Sequence, residues 1–156
     1  MIGDLTSSTT ISLPGGSNPG SGNMNASGTG YVLYCWAEVP GYSAFGSYVA
    51  NNSLDGPIVY TGFRPALVIC KSISAYDWLL YDDQRLGYNV TEKALFANQT
   101  YNEQSVGSVG YGLDFVSNGF KLRTNSNPNQ SSHTYVYMAF AEHPFGGSGV
   151  SPVTAR

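Results

Sequence analysis

Charge is what this sequence has least of. Lys, Arg, Asp and Glu together make up 11% of its 156 residues, less than half of the roughly 25% usual in soluble domains. The net charge is −3 and no run of Lys or Arg is present, which argues against a nucleic-acid partner. No apolar stretch is long enough to cross a bilayer as a helix. The amino terminus has no basic region ahead of an apolar core, so no secretory signal is expected. Cysteine is scarce too: Cys35 and Cys70 each sit in an apolar, strand-like run and are read as small buried hydrophobes. There is no CxxC, and neither His133 nor His143 is spaced to complete a zinc set, so no metal or cofactor is expected.

Catalytic signatures are equally thin. No alternating Asp/Asn calcium loop, nucleophile elbow or phosphate loop can be found. Glu38 and Glu142 each close an aromatic strand and would suit a paired-carboxylate glycosidase. They occupy matching places in a repeated segment, however, which favours local pairing over catalysis. Asp82 and Asp83 beside Arg85 read as a solvated turn, and His133 and His143 as ordinary polar positions. The chain is expected to be non-enzymatic.

What is present is aromatic, small and polar: 12 Tyr, 13% aromatics and 19 Gly. Such a neutral surface suits a protein that works inside an assembly. The chain also carries one segment twice. Tyr31-Val32-Leu33-Tyr34-Cys35-Trp36-Ala37-Glu38-Val39-Pro40-Gly41 aligns without a gap with Tyr135-Val136-Tyr137-Met138-Ala139-Phe140-Ala141-Glu142-His143-Pro144-Phe145, an offset of 135 − 31 = 104. Upstream, Ile11 and Leu13 leading to Asn18-Pro19 match Phe120 and Leu122 leading to Asn127-Pro128. A period of about a hundred residues suits tandem domains rather than a solenoid.

Enrichment in β-branched and aromatic residues predicts strands over 9–13, 31–39, 57–60, 65–72, 77–82, 111–116, 119–123 and 134–142. Turn signals separate them, the strongest being Asn118-Gly119. Residues 91–97 could form a single helical turn or a strand. The fold class is all-β, an antiparallel sandwich or jelly roll. Residues 1–41 read as an arm and strands like the end of a preceding repeat, 42–145 as a β-sandwich completed by strand 31–39, and 146–156 as a flexible tail. Tyr42, Phe45, Tyr48, Tyr76, Tyr88 and Tyr101 lie in loop-like contexts beside Gly, Ser and Asn, which makes them candidate ligand or subunit contacts.

Several of these stretches also carry a family likeness. Phe45-Gly46-Ser47-Tyr48, Asp55-Gly56-Pro57-Ile58-Val59-Tyr60, Gly62-Phe63-Arg64-Pro65-Ala66, Trp78 with Tyr81-Asp82 and Arg85, Asn98-Gln99-Thr100 with Glu103, and Asp114 through Leu122 resemble the concanavalin-like repeat domain of tailed-bacteriophage virion proteins, often found in tail-fibre-like chains. The resemblance implies a β-sandwich and a place in the particle, but no catalytic set. It implies synthesis in the host bacterial cytoplasm, where two free thiols persist. A tail-associated module adhering to a host-surface glycan is expected first, and a capsid decoration protein gripping the shell through residues 1–30 second. A polysaccharide-cleaving enzyme on the same scaffold ranks last. Expected partners are further copies of the chain, as a homotrimer, and other virion proteins. Strands 9–13 and 31–39 are expected to complete a sheet, in the same chain or in a neighbour.

Overall fold

The computed structural model describes residues 4–7, 10–12, 28, 30–74, 76–85, 89, 91, 93–105, 110–130 and 132–144. The chain divides into two compact units, Met1–Trp36 and Ala37–Arg156. Tyr88 and the tail 146–156 fall outside the described residues.

In the first unit β1 (Asp4–Ser7) pairs antiparallel with β2 (Thr10–Ser12). Residues 30–36 follow without strand structure, and most of their side chains are exposed: Val32 79%, Leu33 62%, Tyr34 72% and Trp36 57%. Of the strand expected at 31–39, residues 31–38 have no strand structure and Val39 forms a bridge with Ser43. Cys35 is exposed for the same reason, which corrects its reading as a buried hydrophobe.

The second unit is a β-sandwich. Its larger sheet uses β3 (Ser43–Val49), β5 (Pro65–Ser72), β6 (Leu79–Asp82), β7 (Lys93–Phe96), β8 (Gln104–Ser105) and β11 (Thr134–Ala141), in the order β3-β11-β5-β6-β7-β8. The smaller has the order β4-β10-β9, from β4 (Ile58–Tyr60), β10 (Gly119–Leu122) and β9 (Leu113–Val116). All paired strands are antiparallel, and no helix occurs among the described residues. Within 91–97, Lys93–Phe96 thus forms a strand, not a helical turn.

Period-two alternation sets which faces meet. On β11, Tyr135, Tyr137 and Ala139 are buried while their neighbours are only partly so, and β5 buries Val68, Cys70 and Ser72 in the same rhythm. These side chains face Val59, Leu113, Phe115, Phe120 and Leu122 of the smaller sheet. Tyr48 stacks on Tyr135 with centroids 5.4 Å apart, and the edge of Phe120 meets Tyr48 at 6.1 Å and Tyr137 at 5.4 Å. Tyr48 is therefore a core residue on β3, only 8% exposed, and its reading as a loop contact is corrected.

Two buried tyrosines differ in one respect that is testable. The Tyr48 hydroxyl donates to the carbonyl of Pro128 at 2.9 Å, whereas the fully buried Tyr81 hydroxyl makes no hydrogen bond to the protein. An unpaired buried hydroxyl is a cost, a paired one a gain. Tyr81→Phe is expected to leave stability unchanged or raise it by up to about 1 kcal/mol, and Tyr48→Phe to lower it by about 1 kcal/mol. Urea unfolding of the two variants checks the contrast.

Candidate functional site

The antiparallel order brings three chain segments to one end of the larger sheet. β5 ends there at Ser72, β6 begins at Leu79 opposite Phe96, and β11 begins at Thr134. The loop from Ser72 to Leu79 and the turn after Phe96 are therefore neighbours. Asp77 sits between them: its Oδ1 accepts from Asn98 Nδ2 at 2.9 Å and from Gln99 Nε2 at 2.6 Å. Asn98 Oδ1 in turn accepts the backbone N–H of Trp78 at 2.9 Å.

Aromatic rings flank this polar cluster. Trp78 is 38% exposed and Tyr101 57%. Tyr101 and Tyr111 both pack edge-on against Phe96, at 5.6 and 5.1 Å. Burial, then the Asp77 carboxylate and then Tyr101, raise the pKa of the Tyr111 hydroxyl, which stays neutral and able to donate. Tyr76 meets the edge of His133 at 5.3 Å and holds a φ of 71°. Left-handed backbone is costly for a bulky side chain, and such strain concentrates at functional positions. A carboxylate and two amides between half-exposed rings can hydrogen-bond hydroxyl groups while the rings stack on an apolar face.

The sequence candidates are thus partly gathered here. Tyr76 and Tyr101 belong to the cluster; Tyr42 and Phe45 do not. Those two pack against Phe140, at 6.3 and 5.9 Å, near the opposite end of β11. Asp77, Trp78, Asn98 and Gln99 were missed as site residues, although Trp78 and Asn98-Gln99 stand in stretches that carry the family likeness.

Most other carboxylates are committed to basic partners. Glu142 Oε2 accepts from Arg64 Nε at 2.7 Å, and Arg64 Nη1 also donates to the Phe115 carbonyl at 2.9 Å. With Asn89 and Ser117 these residues line an open cleft, and Glu142 has the local pairing role expected of it. Asp82 and Glu103 share Arg85, and Glu103 also meets Lys93 at 2.8 Å, so the Asp82 turn belongs to an ion network and is not simply solvated. Asp114 meets Arg123 at 2.5 Å, and Asp55 pairs with Lys121. Among the described residues no group of three or more His, Cys, Asp or Glu is placed to hold a metal ion. Among the described residues no helix is long and apolar enough to cross a membrane.

The ion pairs give a pH dependence. Hydrogen bonds from Lys93 and then Arg85 hold Glu103 below its ordinary 4.5, and a hydrogen bond from Lys121 holds Asp55 below 3.8. A carboxyl depressed in the folded state contributes stability above its unfolded pKa, and that contribution is lost as pH falls through the folded value. Stability is expected to hold down to about pH 4.5 and to fall below it. Glu103→Gln flattens part of that fall, as urea midpoints measured from pH 6 to about pH 2.5 would show.

A family model described as a domain of unknown function, DUF7483, matches residues 3–144. No curated protein and no solved structure matches.

Proposed function

Starting from the fact that the chain belongs to the DUF7483 family, we propose that it is a non-enzymatic adhesion module of a bacteriophage particle, tail-associated, contacting a host-surface glycan. One observation carries this reading: Asp77, Asn98 and Gln99 form a hydrogen-bonded polar cluster beside exposed Trp78 and Tyr101. Sugars offer both of the surfaces such a cluster fits, hydroxyls for the amides and an apolar ring face for the aromatics. The commitment of Glu142, Glu103, Asp82, Asp55 and Asp114 to Arg and Lys partners supports binding over hydrolysis. A hydrolase would keep two facing carboxyls about 5 to 10 Å apart.

The test is a glycan array probed with the wild-type chain, Trp78→Ala and Asn98→Ala. Binding that falls at least about tenfold in both variants is expected, since one lost stack or hydrogen bond at a desolvated contact costs over 1 kcal/mol. Equal binding by all three would sink the reading.

A second reading, capsid decoration, draws on the exposed apolar side chains of Val32, Leu33, Tyr34 and Trp36, which suit burial against another virion protein. Cryo-electron microscopy of an intact particle separates the two. Copies on the shell lattice, with that segment on capsid subunits, would favour decoration; copies on the tail would favour adhesion.

A further inference from the structure

The described strands of the first unit match a hairpin of the second in order and spacing. β1 and β2 align with β9 and β10 at an offset of 113 − 4 = 109. Both hairpins join two short strands through two residues, and the pair Ser7↔Thr10 takes the place of Val116↔Gly119, while an irregularity between Leu5 and Ser7 shifts the remaining pairs of the first hairpin by one residue. The segment from Tyr31 then takes the place of β11 in sequence. In the complete sandwich, β11 is the central strand between β3 and β5, with Tyr135, Tyr137 and Ala139 inward. Their counterparts are Tyr31, Leu33 and Cys35.

Those counterparts are out of phase with the nearest strand in the chain. Val39 and Ser43 form an antiparallel bridge around the Pro40-Gly41 turn. Extending that register would set Tyr34 opposite Tyr48 and Trp36 opposite Gly46. Tyr34 and Trp36 would then face the core, with Leu33 and Cys35 outward, the reverse of the β11 pattern. A one-residue slip exchanges the two faces of a strand. No strand is formed over residues 30–38, and the inward pattern of 31–35 is left for a different acceptor.

We propose that β1, β2 and the segment 30–36 supply the closing strands, counterparts of β9, β10 and β11, to a second sandwich whose remaining strands lie on a different stretch of polypeptide. The partner is an incomplete unit of this same fold, with strands of the β3-to-β8 kind and a vacant central place in its larger sheet. A complete copy of residues 37–144 cannot be that partner, because its own β11 fills the place. This proposal stands apart from the adhesion reading and does not depend on it.

The test lengthens the full chain at its amino terminus. In one form residues 37–109 are repeated ahead of residue 1, supplying the missing strands. In the other, residues 37–144 are repeated there, supplying a unit that is already closed. Cys35 is exposed in the chain as it stands and gives the readout, its labelling by a thiol reagent followed by peptide mass. The first extension is expected to slow labelling of Cys35 at least about a hundredfold, as for a group reached only by local opening, and the second to leave it unchanged. Within the first extension, Leu33→Asp on the inward face restores labelling, and Val32→Asp on the outward face does not. Unchanged labelling in the first extension overturns the proposal. So does equal protection by both extensions, or an equal effect of the two aspartates.

Discussion

Replacing Asn129 with Ala is expected to destabilise the sandwich by about 3 kcal/mol, the largest effect of any single polar substitution in it. Asn129 is fully buried in the turn that carries Asn127-Pro128. Its Nδ2 lies 2.9 Å from Asn51 Oδ1, 2.9 Å from the Ser53 carbonyl and 2.8 Å from the Thr124 carbonyl. Its Oδ1 accepts the Asn51 N–H at 2.9 Å, and its own carbonyl accepts the Asn52 N–H at 3.1 Å. One side chain thus ties the segment after β3 to the segment before β11. Alanine removes a buried donor from the Thr124 and Ser53 carbonyls and leaves a small void. Asn51 is exposed, so Asn51→Ala lets water replace what it removes and costs about 1 kcal/mol or less. Urea midpoints of the two variants, at equal m-value, measure the difference. Similar losses would mean that the turn is held by its exposed partner and not by its buried one.

Gly119→Ala is expected to cost about as much, roughly 3 kcal/mol, for a steric reason. A Cβ on Gly119 would lie 2.0 Å from the Val59 carbonyl oxygen and 3.0 Å from its carbon. The obstacle is the backbone of β4, not the tip of a flexible side chain. To make room, β4 must move away from β10, which weakens the pairing of Gly119, Phe120 and Lys121 with Tyr60, Val59 and Ile58. Val59, a core residue, moves with it. Gly30 is the control, since nothing lies within 4 Å of a Cβ built there, and Gly30→Ala is expected to be neutral. Thermal unfolding separates the pair. A small shift for Gly119→Ala would show that β4 has slack at this edge.

Much of the sandwich was legible because its central strands obey simple rules. β5 and β11 are rich in β-branched and aromatic residues, and β9 and β10 flank Asn118-Gly119, so composition and turn chemistry agree. β3 was hidden by its composition. Phe45-Gly46-Ser47 reads as loop, yet a Cβ at Gly46 would come within 2.9 Å of the Tyr137 ring, so the glycine fits that ring against the strand. Tertiary pairing with β11 there overrides a poor local propensity. Tyr48 was misjudged along with it. β7 was ambiguous because Lys93-Ala94-Leu95-Phe96 is too short to distinguish the two periods. The opposite occurred at 31–38, where a sequence rich in strand-forming residues has no strand structure. Asp77 and Asn98 could not be joined by reading along the chain. They lie 21 residues apart and meet only because β6 pairs with β7.

The adhesion reading is tested most directly through Trp78. The chain has two tryptophans, so Trp36→Phe leaves Trp78 as the sole reporter, set beside Asp77 and Asn98. Its fluorescence would be followed while purified host-surface polysaccharide is added. A saturable change in Trp78 emission is expected, and Asp77→Ala abolishes it while the fold, followed by circular dichroism, is kept. Emission that stays constant across the titration, with the chain folded, would contradict it.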